Sequence, residues 1–95
     1  MNQYEALYII DAALTEEATR ESIEKFKGIV EANGGEIVAV DEWGKRKLAY
    51  PIDYKTEGTY VLMSFNSAPE LPRELERNYK NDEKILRYMV TVKEA

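Results

Sequence analysis

Apolar residues recur with two different periods along the first third of the chain, and each period predicts a different element. Residues 4–10 (YEALYII) are short, apolar and rich in aromatic and branched side chains, which favours a buried strand. Thr15 then offers a hydroxyl that can cap a helix. Apolar residues follow at helical spacing and predict one buried stripe, formed by Ile23, Phe26, Ile29 and Val30. Gly34 and Gly35 end this helix, because glycine accepts the left-handed conformation there.

The remaining two thirds predict two strands, a second helix and a last strand. Residues 36 to about 48 indicate a long second strand, and residues 51–58 are expected to form a hairpin loop because Pro51 cannot donate to a ladder. Residues 59–65 (TYVLMSF) have strong strand composition. Their alternation sets Val61, Met63 and Phe65, expected on the helix side, against Tyr60, Leu62 and Ser64. A second helix is expected to open near Pro69, with an apolar face made of Leu71, Leu75 and Tyr79. Ile85–Val92 (ILRYMVTV) predicts the fourth strand.

The order β-α-β-β-α-β predicts an α+β fold, the ferredoxin-like sandwich. Right-handed crossovers place both helices on one face of a four-stranded antiparallel sheet, with the first and third strands in its centre. A length of 95 residues with 44% apolar composition indicates one domain over residues 1–95. The face without helices is expected to carry Arg87 among an apolar patch from three strands, and such a patch favours an interaction surface: Leu7, Ile9, Leu62 and Met89.

The residue types present exclude several kinds of chemistry. The chain has no cysteine and no histidine, so disulfides, thiolate metal sites and the commonest neutral base are absent. Its serines therefore lack the base that a serine nucleophile needs. We expect a protein that is not an enzyme and has no metal, cofactor or small-molecule substrate. No signal peptide and no apolar run of roughly 20 residues is seen, which predicts a cytoplasmic protein without a membrane partner.

Residues 43–52 (WGKRKLAYPI) carry the strongest charge signal. The formal net charge of the chain is −5, yet residues 43–55 hold four basic residues and one acidic residue, Asp53, so this segment is +3 and the remainder is −8. A positive island on an acidic protein indicates a specific docking surface. As an edge, the second strand carries charges of both signs, which discourage aggregation and can also select a complementary partner.

The third strand does not fit a sequence-reading RNA-recognition motif. That motif presents basic, glycine and alternating aromatic residues, whereas residues 58–65 read GTYVLMSF. Only Tyr60 could stack on a base from the open face. Contact between the basic cluster and RNA phosphates stays open, because cations bind the RNA backbone without reading sequence.

Several segments together carry a resemblance to a known family: Tyr4-Glu5, residues 43–52, Gly58-Thr59-Tyr60 and the string ILRYMV at residues 85–90. On these residues the chain resembles the bacterial small-subunit ribosomal protein S-six family over essentially its whole length. The resemblance implies a non-catalytic ribosomal component with a ferredoxin-like fold, located in the ribosome. It also implies two partners, ribosomal protein S-eighteen and the central domain of small-subunit ribosomal RNA.

The resemblance also implies which residues make the contacts. Candidates for RNA binding are the basic positions Lys45, Arg46, Lys47 and Arg87. Candidates for contact with the protein partner lie mainly on the charged second strand: Asp41, Glu42, Trp43, Arg46, Lys47, Leu48, Tyr50 and Met89.

Two other functions use the same order of elements. A small ligand-binding regulatory module would bind its ligand through loops at a dimer interface, but the chain shows no glycine-rich ligand loop. A small acyl-phosphate hydrolase would need a glycine-bearing anion loop with an arginine after the first strand, where Asp11-Ala12-Ala13 stands here. Both rank below the ribosomal interpretation.

Overall fold

Four strands and two helices follow one another in the predicted order. The computed structural model describes residues 1–52 and 54–93. The strands pair antiparallel in one sheet with the order β2-β3-β1-β4. The predicted ferredoxin-like fold is confirmed, with β1 and β3 central and β2 and β4 at the edges. The elements are β1 (Asn2–Asp11), α1 (Glu16–Ala32), β2 (Glu36–Ile52), β3 (Lys55–Ser67), α2 (Leu71–Lys80) and β4 (Ile85–Val92).

The core lies between the helices and one face of the sheet. In β3 every second side chain is fully buried, namely Val61, Met63 and Phe65, as the alternation predicted. The predicted stripes of both helices also face inward, with Ile23, Phe26, Val30, Leu71, Leu75 and Tyr79 buried and Ile29 partly buried. Aromatic rings of Tyr8, Phe26 and Tyr79 meet at the centre, with centroids 4.4 to 5.4 Å apart. Among the described residues, no helix lies on the opposite face of the sheet.

Local sequence determines most of the helix ends. The Thr15 hydroxyl accepts a hydrogen bond from the Ala18 N–H at 3.1 Å, which confirms the predicted cap. Gly34 has a φ of +82° just after α1, as its position suggested. The second helix begins at Leu71, two residues after the predicted Pro69. A turn leads into it, in which the Leu71 N–H donates to the Ala68 carbonyl at 3.2 Å. Pro72 occupies the first turn of α2, where a missing N–H leaves no helical bond unmade.

The hairpin between β2 and β3 is the largest departure from prediction. Residues 51–58 were expected to form a loop, but β2 continues through Pro51 and β3 begins at Lys55. Between Lys47 and Ile52 the two strands lose residue-for-residue pairing, so the missing proline N–H removes no ladder bond there. Gly58 lies within β3, paired with Arg46. Asp53, which was counted in the charge of this segment, lies outside the described residues.

Candidate interaction surface

An extra residue in the middle of β2 changes the direction of its side chains. Glu42 lies opposite Val61 and Gly44 lies opposite Tyr60, so Trp43 is an additional residue in a β-bulge. Gly44 has a φ of +82°, a left-handed conformation that glycine adopts without a steric penalty. The bulge places Trp43 where regular pairing would not have placed it. The Trp-Gly pair was the sequence signal of this feature.

Cross-strand pairing separates the three consecutive cations. Lys45 lies opposite Thr59, which is buried beside the helices, whereas Arg46 lies opposite Gly58. Directly opposed side chains share a face of an antiparallel sheet, and successive residues alternate. Lys45 and Lys47 therefore lie on the helix side of the sheet and Arg46 on the open side. The sequence prediction treated these three residues as one cluster, and the structure divides it between two faces.

The acidic pair that precedes the bulge is divided in the same way. Glu42 lies opposite the fully buried Val61 and so faces the helix side. Asp41 lies opposite Leu62 and so faces the open side. Each face of this edge therefore receives both signs of charge.

Trp43 is the centre of a cluster on the open face. Its ring stacks on Tyr60 with centroids 6.2 Å apart and planes 9° from parallel. The guanidinium carbon of Arg46 lies 5.2 Å from the Trp43 ring centroid, within the range of a cation–π contact. The indole N–H donates to Asp41 Oδ2 at 3.0 Å. The structure thus brings together three of the residues predicted to contact a partner, and adds Tyr60, which was not predicted among them.

The end of β2 folds across the open face of the sheet. Leu48, Tyr50 and Ile52 line a cleft of about 60 Å³ together with Ile9 and Arg87. The Tyr50 hydroxyl accepts a hydrogen bond from Arg87 Nη1, and the guanidinium carbon lies 4.9 Å from the tyrosine ring centroid. Tyr50 and Arg87 come from the strands at opposite edges of the sheet. The two residues were predicted to serve different ligands, and the structure joins them.

This segment changes the predicted apolar patch. Ile9 points to the open face as expected, but it is only 7% exposed because the end of β2 lies over it. Met89 is 56% exposed, and Leu7 and Leu62 are half-buried. The exposed apolar surface is therefore smaller than the sequence predicted, and it is displaced toward β4.

One cation of the segment is paired within the protein. Lys55 Nζ lies 2.6 Å from Asp11 Oδ2 at the end of β1. The hydrogen bond from Lys55, followed by that from the Ala13 N–H, holds the pKa of Asp11 below its usual value. The Lys55 side chain therefore links the start of β3 to the end of β1. The candidate RNA-binding cations stay the predicted ones, Lys45, Arg46, Lys47 and Arg87.

Other kinds of site are not seen in the part of the chain that the structure describes. No group of three acidic, histidine or cysteine side chains there is arranged to hold a metal ion. No helix among the same residues has the length and apolarity to cross a membrane.

Comparison with known proteins agrees with this architecture. The family described as Ribosomal protein S6 matches residues 3–92. The small ribosomal subunit protein bS6 of Clostridium novyi is 53% identical over 90 residues, which cover 95% of each chain. The protein of the same name from Caldanaerobacter subterraneus is 52% identical with the same coverage. A crystal structure of the 30S ribosomal protein S6 from Thermotoga maritima superposes with a TM-score of 0.93 at 31% identity, covering 97% of this chain and 87% of that one.

These matches confirm the family that the motifs indicated, and with it the predicted ribosomal location in the cytoplasm. They also favour this family over the two other interpretations of the fold, the acyl-phosphate hydrolase and the ligand-binding regulatory module. The family model and the relatives each span nearly the whole chain, so the assignment does not rest on the motif at residues 43–52 alone. The chain belongs to the ribosomal protein S6 family, whose members are small-subunit ribosomal proteins and not enzymes.

Proposed function

We propose that this protein is a structural constituent of the small ribosomal subunit and binds the central domain of small-subunit ribosomal RNA together with ribosomal protein S-eighteen. The observation that carries the proposal is the placement of two arginines on the helix-free face of an acidic protein. Arg46 lies against Trp43, and Arg87 lies against Tyr50. Family membership supports the ribosomal part of the proposal.

The contact with the protein partner is assigned to the β2 edge and the open face beside it. This surface combines aromatic rings, an arginine and charges of both signs, and protein interfaces are enriched in aromatic residues and arginine. Its mixed charges select a partner with complementary charges. The residues proposed to contact S-eighteen directly are Asp41, Glu42, Trp43, Arg46, Lys47, Leu48 and Met89. Tyr50, which was expected beside them, lies against Arg87.

The contact with RNA is assigned to the basic residues Lys45, Arg46, Lys47 and Arg87. The net charge of −5 opposes independent binding to a polyanion, because every phosphate contact must overcome a general repulsion. A basic protein partner would reduce that repulsion and extend the binding surface. We therefore expect the RNA affinity of this chain to depend strongly on S-eighteen.

Filter binding to central-domain RNA, with and without S-eighteen, tests this function. We expect weak binding of the isolated chain at moderate salt and tight binding of the pair. Neutralising Arg46, Lys47 and Arg87 together should weaken the ternary complex by roughly 100- to 1,000-fold, since each charged contact contributes roughly five- to tenfold. The control neutralises three cations on the helices, Lys27, Arg73 and Lys80. Tight binding of the isolated chain, or equal effects of the two triple variants, would contradict the proposal.

A further inference from the structure

Tyr50 reaches Arg87 from the other edge of the sheet. Arg87 lies in β4, opposite Ile9 of β1, and Tyr50 lies near the end of β2. The sheet order is β2-β3-β1-β4, so the end of β2 crosses two strands to bring the tyrosine to the arginine. Both residues border the cleft above Ile9. The contact therefore depends on the fold of the whole sheet.

The contact restrains the guanidinium of Arg87 in two ways. The Tyr50 hydroxyl accepts a hydrogen bond from Arg87 Nη1. The guanidinium carbon of Arg87 lies 4.9 Å from the centroid of the tyrosine ring. A guanidinium has five N–H donors in a rigid plane, so one bond leaves the others for a ligand. Within residues 1–52 and 54–93, Arg87 forms no ion pair with a carboxylate. Tyr50 therefore holds the Arg87 charge in one place, and no described carboxylate neutralises that charge.

From this geometry we infer that Tyr50 is a positioning residue for Arg87, which binds RNA phosphate. The inference rests on the proposed function, and it refines the assignment of Tyr50, which was expected to contact the protein partner directly. A flexible arginine loses rotamer freedom when it binds phosphate, and this loss weakens binding. Tyr50 removes much of that freedom in the free protein. The contact therefore favours RNA binding, and Tyr50 acts on that binding only by way of Arg87.

A double-mutant cycle on the complex with S-eighteen tests the coupling. Tyr50→Leu should weaken RNA binding roughly 3- to 10-fold, since ordering one long side chain costs affinity in that range. Arg87→Ala should weaken it further and lower the salt dependence by roughly one phosphate contact. In the Arg87→Ala background, Tyr50→Leu should have no additional effect. Tyr50→Phe keeps the ring and loses the hydroxyl, so its effect should lie between wild type and Tyr50→Leu.

A measurement on the free protein tests the positioning without RNA. Nitrogen NMR relaxation of the Arg87 side chain should show a restrained guanidinium in the wild type and a mobile one in Tyr50→Leu. The matched control is Tyr54→Leu, since Tyr54 lies on the same hairpin and is fully exposed. This control should leave both the relaxation and the RNA affinity unchanged.

The outcomes separate this inference from the proposed function. If the wild-type pair fails to bind the RNA, the proposed function is wrong, while the relaxation experiment still decides the positioning. If the wild type binds but Tyr50→Leu acts equally in both Arg87 backgrounds, Tyr50 acts by itself and the inference is overturned. Loss of S-eighteen binding in Tyr50→Leu, or an unchanged Arg87 mobility, would also overturn it.

Discussion

Trp43 lies nearly parallel to Tyr60, with ring planes 9° apart and centroids 6.2 Å apart. The bulge at Gly44 makes this possible, because it turns a residue of the edge strand onto the ring of its neighbour. Tyr60 was the one residue of β3 that could have served as a platform for a base. Its ring is instead stacked within the protein, and the indole carries Arg46 on the same surface.

Replacing Trp43 by leucine tests whether this cluster is a binding surface. We expect the affinity for S-eighteen to fall about tenfold or more, because aromatic anchors dominate protein interfaces. The free energy of unfolding should fall by only about 1 kcal/mol, the usual contribution of an aromatic pair. Calorimetric titration and urea denaturation measure the two effects. Val38→Ala, at an exposed position of the same strand, is the control, and equal losses in both variants would remove Trp43 from the interface.

Adjacent cations provide a test of the division between the faces. Arg46→Ala and Lys45→Ala remove the same charge one residue apart, but the first lies on the open face and the second on the helix side. We expect Arg46→Ala to weaken the complex with S-eighteen and RNA about tenfold, because Arg46 is proposed to contact both partners. Lys45→Ala should weaken it only about threefold, because Lys45 is proposed to contact RNA alone. Equal effects in a filter-binding titration would mean that net charge, and not the face, determines the binding.

Two glycines should respond to alanine in opposite directions. A Cβ at Gly58 would lie 2.2 Å from Ile9 Cγ2, whereas a Cβ at Gly28 meets nothing within 4 Å. Gly58→Ala should lower the free energy of unfolding by roughly 1–3 kcal/mol, as overpacking does. Gly28→Ala should raise it by about 0.5–1 kcal/mol, because alanine is the better helix former. Urea denaturation measures both. A Gly58→Ala variant as stable as the wild type would show that the Ile9 side chain can move away from residue 58.

Asp82 should make stability depend on pH in the acid range. Burial by itself raises the pKa of Asp82, but hydrogen bonds from Lys25 at 2.8 Å and from the Lys84 N–H at 2.9 Å outweigh it, and the pKa lies below its ordinary value. A lowered pKa stabilises the fold above the unfolded-state value near pH 4. That contribution is lost as the pH falls through the folded-state value.

The Asp82→Asn variant should therefore lose roughly 1 kcal/mol at neutral pH and show a shallower decline of stability in acid. Thermal unfolding across the acid range measures this. Glu24→Gln removes an exposed ion pair with Lys27 and should change stability by less than about 0.5 kcal/mol. An Asp82→Asn variant with the acid profile of the wild type would show that the Lys25 contact is not maintained in solution.

Elements with strong local patterns were predicted well. The alternation in β3 identified its buried face, Thr15 identified the start of α1, and β4 has the predicted bounds. Local patterns failed at the hairpin, where Pro51 was taken as the start of a loop. A proline is tolerated in an edge strand where the pairing register shifts, and that shift depends on the partner strand. Nothing at residues 51–58 alone indicates it.

The amino-acid sequence by itself determined the order of the elements, the two buried helix stripes, the excess of positive charge near residue 45 and the family. These properties depend on side-chain type and short-range spacing. Only the tertiary structure decided that Arg46 and Lys45 lie on opposite faces, that Trp43 covers Tyr60, and that Tyr50 meets Arg87. The bulge at Gly44 and the fold-over of β2 produce these contacts, and both arise from pairing between residues that are far apart in the chain.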